Sequence, residues 1–177
     1  MEPIREAVLD GLMGQLARGD RAAFASLYAA LRPRALRLAE ARLGKSDAAD
    51  VAQAALLKVF ARASDFTPGR PCLPWFYAIV SNEIQAARRQ TARLNLDDDA
   101  VERTLDKAPD AENQLLSREL ERALDLAVDS LDEHGANAIR AMLGRAPMPD
   151  VNPVTFRKRV SRAYARLRLI LGGHDGG

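Results

Sequence analysis

The side chains best suited to chemistry lie in residues 46–90, where two helical patterns flank a segment rich in proline and glycine. A Trp-Phe-Tyr cluster at 75–77 follows that segment directly, and the second pattern ends in Arg88 and Arg89. Aromatic rings can stack on unpaired bases, while amides can pair with base edges and arginines with phosphates. This arrangement is therefore suited to holding unpaired bases beside a duplex backbone.

The first helical pattern, at about 47–63, has two faces. Its apolar residues predict a broad buried stripe: Val51, Ala52, Ala55, Leu56, Val59 and Phe60. Other residues recur at i, i+3, i+6 and i+10 and form a separate face: Asp47, Asp50, Gln53 and Leu57. A leucine among carboxylates suggests a contact surface for a partner. The alternative is a capping acid beside a wide core face, because single exposed leucines are common.

The second helical pattern, at about 75–90, also has two faces. Its apolar positions are expected to point inward: Phe76, Val80, Ile84 and Ala87. Its polar face carries side chains that can contact bases and phosphates: Ser81, Asn82, Gln85, Arg88 and Arg89. The rings at 75–77 can stack an extruded base. The alternative is that the rings are core anchors, at least one of them in any case, and that the polar face is simply solvated.

A third candidate is the basic stretch at 155–168, which contains no acidic residue. The first two turns of its predicted helix present Thr155, Arg157, Lys158 and Arg162. A helix that enters a major groove contacts bases with its N-terminal residues, and clustered cations favour a polyanionic partner. The alternative is a basic amphipathic helix that lies on its own bundle through an apolar face of Phe156, Val160, Tyr164, Leu167 and Leu171.

The composition predicts a globular, all-α protein. Of its 177 residues, 47% are hydrophobic and 28% are charged, and no β-branched runs of period 2 occur. The net charge of +2 hides a segregation, since 97–112 is acidic and 155–168 is basic. Cys72 is the only cysteine, which fits a reducing cytoplasm. We expect no membrane span, because no apolar run approaches the roughly 20 residues needed.

Helix signals and breakers divide the chain into two small helical bundles. The predicted helices cover about 4–18, 20–43, 47–63, 75–90, 113–130, 132–143 and 152–171. The expected N-caps are Asp20, Ser46 or Asp47, and Asn152, which is followed by Pro153 at the first helical position. Gly44 is expected to end a helix, and Pro33 to kink or split one. The prolines of 67–74 exclude a regular helix there. The predicted parts are a first domain at 1–92, an acidic linker at 93–112, a second domain at 113–171 and a flexible tail at 172–177.

Residues 18–90 resemble the region 2 domain of bacterial group IV sigma factors, the extracytoplasmic-function type. Three stretches carry the resemblance: RGDRAAFASLYAALRPRALRLA to the opening helices, SDAADVAQAALLKVF to the helix with the D-x-x-D-x-x-Q pattern, and FTPGRPCLPWFYAIVSNEIQAARRQ to the promoter-recognition loop and helix. The stretch VNPVTFRKRVSRAYARLR is similar to the recognition helix of region 4.

The resemblance implies a transcription initiation factor that binds core RNA polymerase and directs recognition and melting of the promoter −10 element. It is then neither an enzyme nor a holder of a metal or cofactor. The residues implied to dock on the β′ clamp helices are Asp47, Asp50, Gln53, Leu56, Leu57 and Phe60. Those implied at the −10 element, around a loop at 66–73 that holds a flipped base, are Phe66, Arg70, Trp75, Asn82, Gln85, Arg88 and Arg89. The resemblance also suggests an anti-sigma protein as a further partner.

Two departures from the family pattern affect these expectations. Ala54 follows Gln53 where the family usually has an acid. Only GRAPMPDV lies between the helix that ends near Leu143 and Asn152, too little for the scaffolding helix of a helix-turn-helix. We therefore expect a shortened region 4, whose −35 candidates are Thr155, Arg157, Lys158, Arg159 and Arg162.

The departures leave other readings open. The basic helix could bind DNA loosely, dock on the polymerase β flap or pack on region 2. The runner-up function is a sigma-derived DNA- or polymerase-binding regulator that does not start transcription. An enzyme is the third class, and the sequence shows no phosphate loop, nucleophile elbow or clustered metal ligands to support it.

Overall fold

A computed structural model describes residues 5–94 and 111–171 of the chain. Within these ranges the protein is all helical, which confirms the predicted fold class. The helices are α1 (Glu6–Ala17), α2 (Phe24–Leu43), α3 (Lys45–Ala61), α4 (Cys72–Leu94), α5 (Ala111–Asp129), α6 (Glu133–Met142) and α7 (Pro153–Ile170). The predicted tail at 172–177 and most of the predicted linker lie outside the described residues.

The chain divides into two compact units, Met1–Leu120 and Glu121–Gly177. The sequence predicted the second domain to begin at 113, whereas by compactness the division falls within α5. The first unit is built on the packing of α2, α3 and α4, with α1 against them. Its largest fully buried side chains are Leu9, Met13, Leu27, Leu31, Leu56, Val59, Cys72, Phe76 and Val80.

The turn between α2 and α3 depends on Gly44. This single residue ends α2 with a φ of 84°, a left-handed value that glycine adopts without a Cβ clash, and its N–H donates to the Glu40 carbonyl. Helix α3 begins at once at Lys45, so the expectation that Ser46 or Asp47 would cap it is wrong. Asp47 instead lies in the first turn of α3, where its negative charge interacts favourably with the helix dipole.

The start of α2 also differs from the prediction. Asp20 caps only a 3₁₀ turn at Arg21–Ala23, with its Oδ1 accepting from the Ala22 N–H at 2.9 Å. Phe24, the first residue of α2, is 45% exposed. Helix α2 continues through Pro33, so this proline does not split the helix.

Helix α4 is longer at both ends than the sequence indicated. It begins at Cys72, so the expectation that 67–74 excludes a regular helix is wrong for its last residues. Pro74 falls in the first turn, where a backbone N–H would have no partner within the helix, and proline is tolerated there. The helix continues to Leu94, beyond the predicted end at about 90.

The first turns of α5 belong to the first unit and are held there by Glu119. Its Oε2 accepts a hydrogen bond from the Tyr77 hydroxyl at 2.7 Å and another from Arg37 at 3.3 Å. The Nε of Arg34, a residue 7% exposed, lies 3.9 Å from the other carboxylate oxygen. Burial, followed by the hydrogen bond to Glu119, raises the pKa of Tyr77 well above its usual range. The carboxylate therefore balances a buried guanidinium and orients the tyrosine.

The second unit is a small bundle in which α6 packs on α7. Its buried core consists of Ala127, Val128, Ala136, Ile139, Ala163 and Leu167. Asn152 caps α7 through the Thr155 N–H at 2.8 Å with Pro153 at the first helical position, which confirms the predicted start. Residues 143–152, all of them described, form turns and bends and no helix, so α6 leads to α7 without an intervening helix.

We predict that Glu119→Ala lowers the free energy of unfolding by about 2–3 kcal/mol, because it leaves the Arg34 charge without its carboxylate and removes the acceptor of the Tyr77 hydroxyl. Urea denaturation followed by circular dichroism measures the change. Glu121→Ala is the matched control, since Glu121 lies on the same helix and is exposed; a change of about 0.5 kcal/mol or less is expected there. Equal effects of the two substitutions would contradict the role given to Glu119.

Candidate nucleic-acid and partner interface

The exposed face of α3 carries the predicted acidic and amide residues. Asp47, Asp50 and Gln53 are exposed, and Leu57 is 62% exposed. The opposite face of the helix supplies the core contacts: Ala48, Val51, Ala52, Ala55, Leu56 and Val59. Leu57 is therefore not needed for the core, and this set, called the α3 surface (Asp47, Asp50, Gln53 and Leu57), is open to a partner.

Two other residues of the predicted polymerase-binding set lie elsewhere on α3. Leu56 is 1% exposed and belongs to the core, because it lies on the helix face that packs against the first unit. Phe60 is half-buried in an aromatic patch, with ring centroids 4.5 Å from Phe24 and 6.3 Å from Tyr28. Phe24 is a half-exposed ring whose place beside α3 could not be predicted from periodicity, since it depends on how α2 crosses α3.

The loop at 66–71 is tightly anchored at its start. Phe66 and Trp75 are each 3% exposed, and their rings meet edge to face with centroids 5.6 Å apart. Phe76 and Tyr77 are buried as well, so all three rings of the aromatic cluster are core anchors. Two residues of the predicted −10 set, Phe66 and Trp75, thus support the loop from the core and are not accessible to a base.

The exposed part of the loop is a β-turn at 67–70. The Arg70 N–H donates to the Thr67 carbonyl at 3.2 Å, and Gly69 has a φ of 87°. A type II turn requires a positive φ at its third position, where glycine is favoured, and proline is common at its second position. Thr67, Pro68 and Gly69 are exposed and Arg70 is half-buried, so the turn presents a small, defined surface to solvent.

The exposed face of α4 carries the remaining predicted residues of the −10 set, here called the α4 surface: Asn82, Gln85, Arg88 and Arg89. Arg88 also donates to the Arg42 carbonyl at 2.8 Å, near the C-terminal end of α2, where a cation is favoured. An ion pair between Lys58 and Glu83, at 2.6 Å, links α3 to α4. The structure therefore brings the α3 and α4 surfaces together on one small bundle.

The basic residues of the second unit lie in the first turns of α7, as the sequence predicted. Arg157, Lys158 and Arg162 are exposed, whereas Thr155 and Arg159 are half-buried. Sequence reasoning did not anticipate the open groove of about 460 Å³ beside them, which is lined by Met148, Pro149, Val151, Pro153, Phe156 and Arg157. The groove depends on the path of 143–152, which periodicity does not reveal.

Cys72 is fully buried where the loop meets α4. Its backbone N–H donates to Asp10 Oδ1 at 2.7 Å. Burial first, and then the Asp10 charge, raise the pKa of the Cys72 thiol to about 12, although Arg34 opposes the shift. Among the described residues, no group of three metal-ligating side chains is found, and none of the described helices is both long and apolar enough to cross a bilayer.

Comparison with known proteins finds a family model that matches part of the chain. Residues 27–94 match the family model for Sigma-70 region 2. The match covers less than half of the chain, and it includes the loop and both the α3 and α4 surfaces. Helix α1 and the whole second unit lie outside the match.

The other comparisons contribute less. No curated protein sequence matches the chain. Among solved structures, the structure of CnrH in complex with the cytosolic domain of CnrY is 21% identical, with 94% of this chain and 98% of that chain covered and a TM-score of 0.41.

We predict that the free energy of unfolding falls between pH 9 and pH 10 because of Cys72. Its thiol ordinarily has a pKa of 9.0, and folding raises this to about 12. Over this window the unfolded chain releases the thiol proton while the folded chain keeps it, so stability is lost as the pH rises. The expected loss is about 1 kcal/mol larger than in Cys72→Ala. Urea denaturation at the two pH values measures it, and identical losses in both proteins would contradict the prediction.

Proposed function

We propose that the protein is a transcription initiation factor that binds core RNA polymerase and directs recognition and melting of the promoter −10 element. The observation that carries the proposal is the Sigma-70 region 2 match at 27–94, together with the exposure of polar side chains on α3 and α4 within it. The protein performs no bond chemistry in this role. Melting results from tighter binding to the splayed single strand than to the duplex.

In this proposal the α3 surface docks on the clamp helices of the polymerase β′ subunit. Asp47 and Asp50 supply charge, Gln53 a hydrogen-bonding amide, and Leu57 apolar area that docking would bury. Phe60 contributes through the aromatic patch at the end of the helix. Leu56 has no place in the contact, because it is buried in the core. Ala54, where the family usually has an acid, makes the surface less acidic.

The loop and the α4 surface would act on the promoter. The turn at 67–70 receives an unpaired base of the −10 element, with Arg70 beside it. Asn82 and Gln85 can pair with base edges, and Arg88 and Arg89 can contact phosphates. Phe66 and Trp75 support this surface from within the core.

The second unit would be a shortened region 4. The absence of a helix from 143–152 supports this, since a helix-turn-helix needs a scaffolding helix across the recognition helix. Contact with a −35 element by Thr155, Arg157, Lys158, Arg159 and Arg162 is one use of α7, and docking on the β flap is another. The same observation favours the second candidate function, a polymerase- or DNA-binding regulator that does not open promoters. An anti-sigma partner and a cytoplasmic location stay predictions from the resemblance.

One experiment separates the two functions. The purified protein is mixed with core RNA polymerase and a pool of duplex DNA with a randomised −10 segment, and open complexes are recovered by their permanganate-reactive thymines. An initiation factor enriches a sequence and opens it. Binding to core polymerase without opening of any DNA would contradict initiation and support the regulator.

We predict that Leu57→Ser weakens binding to core polymerase about tenfold, because docking would no longer bury a large apolar side chain. Val8→Ser is the matched control, since Val8 is an aliphatic side chain on α1 that is 49% exposed and lies outside the region 2 match. Fluorescence anisotropy of the labelled protein titrated with core polymerase measures both affinities. Equal loss in the two variants would exclude a specific role for Leu57.

We predict that Arg89→Ala weakens promoter binding and lowers the slope of log affinity against log salt by about 1, because one phosphate contact is lost. Arg32→Ala is the control, as Arg32 is exposed on α2 and is not part of the α4 surface. Both variants are titrated with the enriched promoter as complexes with core polymerase at several salt concentrations. A salt slope unchanged by Arg89→Ala would argue against a phosphate contact at this residue.

A further inference from the structure

Helix α1 lies outside the region 2 match, yet its buried face packs against the elements that hold the loop. Leu9 and Met13 are fully buried, and α1 contacts both α4 and the 3₁₀ turn at Ala63–Asp65. These are the elements that flank the 66–71 loop on either side. The helix is therefore placed to determine where the loop lies.

The first specific contact is made by Asp10. The amides of the first turn of a helix have no partner within the helix, and a side chain close in sequence usually accepts from one of them. Here the acceptor comes from α1, since Asp10 Oδ1 binds the Cys72 N–H at 2.7 Å. This contact fixes the start of α4 and with it the end of the loop.

The second specific contact is made by Gly14, a buried glycine of α1. A Cβ placed on Gly14 would lie 3.6 Å from Pro68 Cβ, so Pro68, at the second position of the turn, rests on the backbone of α1. A methyl group would fit at that distance, whereas a larger side chain would press on the proline or on the Arg18 guanidinium, whose Nη1 also lies 3.6 Å from that Cβ. Gly11, on the same helix, has nothing within 4 Å of the same position.

We propose that α1 is the positioning element of the loop, and that Asp10 and Gly14 set its base selectivity without touching DNA. The inference rests on the proposed function, in which the turn receives an unpaired base. Phe66 anchors one end of the loop on Trp75, Asp10 anchors the other end, and Gly14 supports Pro68 between them. A base-binding turn selects between bases only when its donors and acceptors are held in place, and α1 supplies two of these three supports.

The test compares Asp10→Ala and Gly14→Val with Gly11→Val, which places the same side chain on the exposed side of α1. The probe is the single-stranded −10 sequence that the unaltered protein enriches with core polymerase, with and without an abasic site at each position. Discrimination is the ratio of the two affinities. A ligand-free readout is the rate at which an aromatic disulfide labels Cys72, the only cysteine of the chain and fully buried.

We expect Asp10→Ala and Gly14→Val to lower discrimination about tenfold at one abasic position. Both should speed the labelling of Cys72 and leave the affinity for core polymerase unchanged. Gly11→Val should alter none of these. The conservative variants Asp10→Asn, which keeps an acceptor oxygen, and Gly14→Ala, whose methyl group fits, should restore discrimination.

The outcomes separate the inference from the proposed function. If the unaltered protein shows no discrimination at any position, the proposed function fails and this inference fails with it. If the unaltered protein discriminates, and Asp10→Ala and Gly14→Val discriminate as well as the unaltered protein does, this inference alone is overturned. A parallel loss of discrimination and of polymerase affinity would indicate general destabilisation and would also overturn it. Should Gly14→Val not fold by circular dichroism, the comparison of Asp10→Ala with Asp10→Asn decides.

Discussion

The hydrogen bond from the Cys72 backbone N–H to the Asp10 carboxylate fixes the residue at which α4 begins, and much of the first unit depends on that start. Because α4 begins at Cys72, Trp75, Phe76 and Tyr77 lie on the first turns of the helix and not in the loop before it. All three rings are then buried, and the polar side chains that follow on α4 face solvent. A helix that began at 75 would leave Cys72 and Leu73, both buried here, outside any regular element.

A second constraint is the charge of Arg34, which lies 7% exposed inside the first unit. A buried guanidinium is costly unless a carboxylate and further hydrogen bonds accompany it. Arg34 donates to the Ala30 carbonyl and lies beside Glu119, which Arg37 and Tyr77 also contact. The carboxylate that balances Arg34 is supplied by Glu119 of α5. The need of this α2 residue for a counter-charge therefore explains why the first turns of α5 belong to the first unit.

Local pattern predicts part of this architecture and not the rest, and the reason is the range of the interactions. On α3 the period of 3.6 separates buried Val51, Ala55 and Val59 from exposed Asp47, Asp50 and Leu57, as expected. The same period cannot decide between core and contact for Phe66 and Trp75, because their burial depends on a ring-to-ring contact across a turn. Asp10 and Glu119 could not be found from sequence at all, since their partners lie 62 and 42 residues away.

The supports of the loop also bear on how selectivity would be divided between the two units. In the second unit α7 begins at Pro153 after a segment, 143–152, that holds no helix to buttress its exposed cations. Cations on flexible side chains contact phosphates well, but phosphate contacts carry no base sequence by themselves. The turn at 67–70, by contrast, is held by Phe66, Asp10 and Gly14. In the proposed function, selectivity between bases therefore falls to the first unit, where the contacting atoms are fixed, and the second unit contributes mainly affinity.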